Sequence, residues 1–100
     1  MSRIRASIRL IGEVTGVGFR AWAARLATKM GLAGFARNEP DGSLYIVVEG
    51  EETSVHTFLM RCRSGPPFAK VERTEVTFEE PKEEGDGEFE VVYSDIELPR

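Results

Sequence analysis

Gly34-Phe35-Ala36-Arg37-Asn38-Glu39-Pro40-Asp41-Gly42 is the stretch where the chain turns back on itself. Leu32 to Asn38 reads as extended, and Pro40-Asp41-Gly42 ends it with turn chemistry: proline pre-sets φ, aspartate bonds nearby backbone, and glycine accepts a positive φ. Leu44 to Glu49 is then rich in β-branched residues and stops at Gly50, so the two segments form a hairpin. Upstream, Arg3 to Leu10 alternates, with Ile4, Ala6, Ile8 and Leu10 on one face and Arg3, Arg5, Ser7 and Arg9 on the other. That is a half-buried strand. Between it and the hairpin lie a glycine-punctuated loop and a helix from Arg20 to Met30, with Trp22, Ala23, Leu26, Ala27 and Met30 at helical spacing and Gly31 as the stop.

Beyond the hairpin, Glu51 and Glu52 open a second helix whose apolar stripe is Val55, Phe58, Leu59 and Cys62, and Gly65-Pro66-Pro67 closes it. Val71 to Glu79 is a fourth extended segment; its apolar residues change parity between Val71 and Val76-Phe78, which predicts a bulge. Glu88 to Tyr93 alternates again, with Phe89, Val91 and Tyr93 facing one way, and the five residues after Asp95 are expected to fray. The order is βαββαβ with an extra strand. A crossover helix followed by an antiparallel return gives an α+β fold, a ferredoxin-like split βαβ sandwich. Its five-stranded sheet is mostly antiparallel, with both helices on one face and the arginine-bearing face of the first strand towards solvent. Residues 1–100 form a single domain, too small for separate cofactor and substrate units.

Composition narrows the chemistry. With 41% hydrophobic and 30% charged residues the chain is an ordinary globular protein, and its net charge of −4 argues against a general nucleic-acid binder while allowing one focused anion site. Cys62 is the single cysteine, which excludes an internal disulfide, a redox pair and a zinc cluster. No segment reads as a signal peptide or bilayer span, so a soluble, cytoplasmic protein with no membrane partner is expected. The helix stripes require no partner to cover them, so a monomer is expected.

The candidate site lies in Leu10-Ile11-Gly12-Glu13-Val14-Thr15-Gly16-Val17-Gly18-Phe19-Arg20. Glycines let backbone N–H groups converge, the helix start adds unpaired donors and a positive dipole end, and Arg20 adds a permanent cation with a planar fork. The plain alternative is a tight strand-to-helix turn. Gly16-x-Gly18-x-x-Ala21 also matches a dinucleotide fingerprint, with Glu39 near the expected distance, but that fold needs further parallel βα units where this chain makes a hairpin. Asn38, beside a turn, is ordinary turn chemistry on its own; in a split βαβ unit, however, the first loop and the end of the second strand approach the same sheet end.

These two motifs together resemble the acylphosphatase family. Its signature Gly-x-Val-Gln-Gly-Val-x-Phe-Arg is matched by Gly12-Glu13-Val14-Thr15-Gly16-Val17-Gly18-Phe19-Arg20, and its second signature by Gly34-Phe35-Ala36-Arg37-Asn38, Gly42 and Gly50. Gly65-Pro66-Pro67 and Val71-Glu72 are similar to bacterial members, so the likeness spans nearly the whole chain. Thr15 stands where the family usually has glutamine, and Leu44 where it prefers valine. The resemblance implies hydrolysis of a small-molecule acyl phosphate to carboxylate and inorganic phosphate, the latter also an inhibitor, with no metal or organic cofactor. It implies phosphate binding by Thr15, Gly16, Val17, Gly18, Phe19 and Arg20, and a water oriented by Asn38. Because similar domains occur within larger maturation proteins, carbamoyl-phosphate chemistry is a further reading; a free-standing enzyme is the expectation. The alternative from another class is a noncatalytic phosphate-binding module, degenerate at Thr15.

The remaining conspicuous residues take plain readings. His56 lies at the polar side of the second helix, Cys62 continues its buried stripe, Trp22 is a core residue, and Glu79, Glu80, Glu83, Glu84 and Asp86 form a solvated loop rather than a metal cage. A basic sheet face on this fold is reminiscent of RNA-recognition modules, but Tyr45 is the one aromatic placed to stack a base, so no nucleic-acid partner is expected.

Overall fold

The computed structural model describes residues 2–83 and 87–93. The chain runs β1 (Arg3–Glu13), α1 (Phe19–Lys29), β2 (Ala33–Asn38), β3 (Leu44–Glu51), α2 (Glu52–Ser64), β4 (Lys70–Glu79) and β5 (Phe89–Val92). The sheet order is β4-β1-β3-β2-β5. Every neighbouring pair is antiparallel except β2 with β5. The hairpin thus places β3 between β1 and β2, the split βαβ arrangement that the turn dictates.

Alternation decides which residues meet. Ala6, Ile8 and Leu10 of β1 lie opposite Val48, Ile46 and Leu44 of β3, and all six are fully buried. Val55, Phe58, Leu59 and Cys62 of α2 and Ala23, Leu26 and Ala27 of α1 complete one core on that face. Trp22 is half-buried against this core, its ring edge-on to Phe19 with centroids 5.3 Å apart. Burial pushes the Cys62 thiol up to about 12, against a smaller opposing pull from Arg61, so it is a packing group rather than a nucleophile. The parity change in β4 is a bulge: Ile11 pairs with Arg73 but Gly12 with Val71, leaving Glu72 as the extra residue.

The opposite sheet face differs from a simple solvated arginine row. Arg5 keeps only 15% of its side chain exposed, between Glu49 at 3.2 Å and Glu79 at 3.5 Å. Arg3 pairs with Glu83 at 3.6 Å. The N–H groups of Lys82 and Glu83 donate to the two Glu49 carboxylate oxygens at 2.7 and 2.8 Å, strapping the chain after β4 across the face. The arginines' exposure falls because alternation also puts Glu49, directly opposite Arg5, on their side. Phe35 joins Tyr45 on this face with ring centroids 6.0 Å apart, and the guanidinium groups of Arg9 and Arg37 lie over the Tyr45 ring at 5.6 and 5.2 Å. The aromatic pair is thereby capped by the protein's own cations. Of the acidic loop, Glu84 and Asp86 lie outside the described residues, as do the residues after Asp95.

Burial pushes the Glu49 carboxyl up, but the N–H groups of Lys82 and Glu83, with Arg5, outweigh it and hold it below the ordinary carboxylate value. A depressed folded-state pKa contributes stability above the unfolded value near 4.5, which is lost as pH falls through the folded one. Urea titrations should show a neutral-pH plateau and falling stability below that value. Glu49→Ala should cost about 3 kcal/mol at pH 7 and flatten the acid limb; an unchanged acid limb would remove Glu49 from this role.

Candidate active site

The site is built where three strands end together. β1 and β2 both run antiparallel to β3, and β5 runs parallel to β2, so β1, β2 and β5 finish at the same end of the sheet. From the end of β1 the chain enters the glycine loop. Val14 is buried and anchors it, Gly16 and Gly18 adopt φ values of 71° and 75°, and Gly18 is the left-handed cap of α1. A side chain at those angles would strain the backbone, which is why the turn takes glycine there. Phe19, 2% exposed, pins the loop to the core from the other side.

Among the described residues no side chain caps α1, and its first turn carries no acidic residue. The first intrahelical bond runs from the Trp22 N–H to the Gly18 carbonyl at 3.0 Å. The N–H groups ahead of it lie at the positive end of the helix, an arrangement suited to an anion.

Gly16, Gly18, Phe19, Arg20 and Asn38 line one cavity of about 180 Å³, together with Val14, Ala21 and Tyr93. Of the residues expected from the sequence, Thr15 is exposed and Val17 packs partly against the core; neither lines the cavity. The Arg20 guanidinium donates to the Val92 carbonyl at 3.2 Å and sits 4.6 Å from the centre of the Tyr93 ring. Tyr93 is the site residue the sequence reasoning missed. Its signal was present in the alternation Phe89, Val91, Tyr93, which extends the helix-facing side of β5 one step past Val91.

Asn38 shares a face with Gly34 and Ala36 and so points towards the helix layer, at the last β2–β3 pair, Asn38 with Leu44. The turn beyond it is firmly made. The Glu39 N–H donates to the Ser43 carbonyl at 2.9 Å, the Gly42 N–H to the Glu39 carbonyl at 3.0 Å, and the Ser43 hydroxyl and N–H to Asp41 at 2.6 and 2.9 Å. Those Ser43 bonds, side chain first, hold the Asp41 carboxyl below its ordinary value. From the other sheet face Arg37 donates to Glu39 at 2.9 Å and Arg9 to Ser43 at 2.8 Å. Asn38 Oδ1 is closed off from solvent and has no hydrogen-bond partner among the described residues. Among those residues no group of three or more histidine, cysteine, aspartate or glutamate side chains is arranged to hold a metal.

The acylphosphatase family model matches residues 6–91. The chain belongs to the acylphosphatase family. It is 46% identical over 92 residues to the acylphosphatase of Thermococcus kodakarensis, covering 92% of this chain and 99% of that one. The crystal structure of acylphosphatase from Bacillus subtilis superposes with a TM-score of 0.85 at 37% identity, over 90% of this chain and 99% of that one. A full-length HypF, in a phosphate- and nucleotide-bound form, matches with a TM-score of 0.82 at 32% identity, over 94% of this chain but 12% of its own. Acylphosphatases are hydrolases, and membership in the family implies a small-molecule acyl phosphate as substrate. None of the described helices is long and apolar enough to cross a membrane.

Nothing lies within 4 Å of a Cβ added at Gly18, so only its backbone conformation resists substitution. Gly18→Ala should therefore lower stability by about 1 kcal/mol. Urea unfolding would check this; an unchanged midpoint would contradict the strain assigned to the cap.

Proposed function

We propose that this chain hydrolyses acyl phosphates with Arg20 as phosphoryl clamp and Asn38 as the group that orients the attacking water. The observation that carries the reading is Asn38 Oδ1, desolvated and unpartnered among the described residues, in the same cavity as Arg20 and the glycine loop. A buried acceptor left unmade costs about 1–3 kcal/mol, a cost that a water donating to it would remove. The phosphoryl oxygens sit against N–H groups at the start of α1 and against the Arg20 fork, which counter the charge that gathers as the transition state forms. HypF supports the reading to the extent that a chain containing a similar domain was seen with phosphate.

The chemistry is a displacement at phosphorus. Water held by Asn38 attacks as the bond from phosphorus to the carboxylate oxygen breaks, and the electron pair leaves with the carboxylate. A substrate phosphoryl oxygen takes the water's proton, so carboxylate and dihydrogen phosphate result. The leaving acid has a pKa of about 4, so no general acid is required, and the remoteness of His56 on the exposed side of α2 is no obstacle. Metal and organic cofactors have no part in this scheme. Inorganic phosphate, bound through the same loop contacts including those expected from Thr15 to Arg20, acts as a competitive product inhibitor. The single buried Cys62 fits an enzyme of a reducing cytoplasm, and we take the enzyme to act as a monomer.

Steady-state hydrolysis of benzoyl phosphate without added metal tests the proposal. Wild type should turn over rapidly; Arg20→Gln should lose about 10³-fold or more in kcat/KM and much of its phosphate inhibition. Retained phosphate inhibition would refute the clamp. Asn38→Ala should lose about 10²–10³-fold in kcat while phosphate inhibition stays within about twofold, and normal turnover would sink the water-orienting role. A folded wild type that binds phosphate without turnover would instead support the noncatalytic module, with Thr15→Gln the variant to test next.

A further inference from the structure

We infer that Tyr93 is a specificity-determining residue that contacts the acyl part of the substrate and favours flat, apolar acyl groups; the inference rests on the phosphate site proposed above. The cavity's lining divides by chemistry. Gly16, Gly18, Arg20 and Asn38 offer backbone or polar groups to the phosphoryl end. Val14 and Phe19 line the cavity but are 1% and 2% exposed, their side chains spent in the core. Ala21 is exposed but contributes only a methyl. Among the described residues Tyr93, 56% exposed, is left as the one large apolar surface on the cavity wall.

Its placement follows from the ladder. Val92 pairs with Arg37, so Tyr93 comes next to the level of Asn38 and, by alternation, on the helix-facing side where Asn38 also lies. With Arg20 4.6 Å from the ring centre, the ring stands beside the cation that holds the phosphoryl group. An acyl group joined to that phosphoryl through the bridging anhydride oxygen leaves the cavity past Tyr93. A planar acyl group offset against the ring gains contact that a methyl group cannot, whereas the polar contacts to phosphate are common to both.

The test uses the non-hydrolysable pair benzoylphosphonate and acetylphosphonate, titrated calorimetrically into wild type, Tyr93→Ala and Tyr93→Phe. Wild type should prefer the benzoyl compound. Tyr93→Ala should lose that preference by about threefold to tenfold, with acetylphosphonate affinity within about twofold of wild type, and Tyr93→Phe should retain it. Equal weakening of both compounds would overturn the inference, because the ring would then serve only to hold Arg20. No change in either would overturn it too. Because the readout is binding, a wild type that shows the preference but hydrolyses nothing would refute the hydrolase reading and uphold the Tyr93 contact. Failure to bind either compound would overturn the Tyr93 inference, and the turnover of benzoyl phosphate would then decide the hydrolase reading by itself.

Discussion

The constraint on which the site depends is the position of β3 between β1 and β2. A strand antiparallel to both neighbours makes those neighbours parallel to each other without a direct hydrogen bond between them. The glycine loop at the end of β1 and Asn38 at the end of β2 therefore face one another across the width of a strand. Moving β3 elsewhere would leave both motifs intact in sequence and apart in space.

Rigidity comes to this end of the sheet from two directions. On the helix side Val14 and Phe19 fasten the loop to the core, so its φ-positive glycines are held by packing rather than by capping side chains. On the open side, the cation–aromatic layer of Arg9, Arg37, Phe35 and Tyr45 joins the hydrogen bonds to Glu39 and Ser43 around the turn that comes after Asn38. The face without helices is thus part of the support for a group that points the other way. Such preorganisation from behind lets short side chains on strand ends keep a fixed geometry.

Much of this was legible in the sequence, because it rests on local rules. Alternation in β1, the helical stripes and the Pro40-Asp41-Gly42 turn are each set by neighbours within a few residues, and together they fix topology. The parity change in β4 foretold its bulge. Less legible were contacts whose partners lie far apart in the chain. Arg5 looked solvated because Glu49 and the backbone at Lys82 and Glu83 are 44, 33 and 34 positions distant from their partners. Tyr93 looked like the end of a minor strand, since nothing near it in sequence reveals that β5 pairs with β2 and meets Arg20, 72 positions upstream of Val92. Phe35 hid in a short strand whose outer face could be assigned only once its register was known.

The parallel β2–β5 ladder separates two properties of the chain that are usually tied, the length of a connection and the position of the strand it leads to. Val92, and with it the next residue Tyr93, is located by the pairing of Phe89–Val92 with residues 34–37, not by the path that brings the chain from Glu79 to Phe89. Lengthening that path costs only loop-closure entropy, about 0.6 kcal/mol per doubling. The connection between β4 and β5 is therefore a natural graft point for inserted sequence: cargo added after Glu83 leaves the Glu49 strap on one side and the contact of Tyr93 with Arg20 on the other.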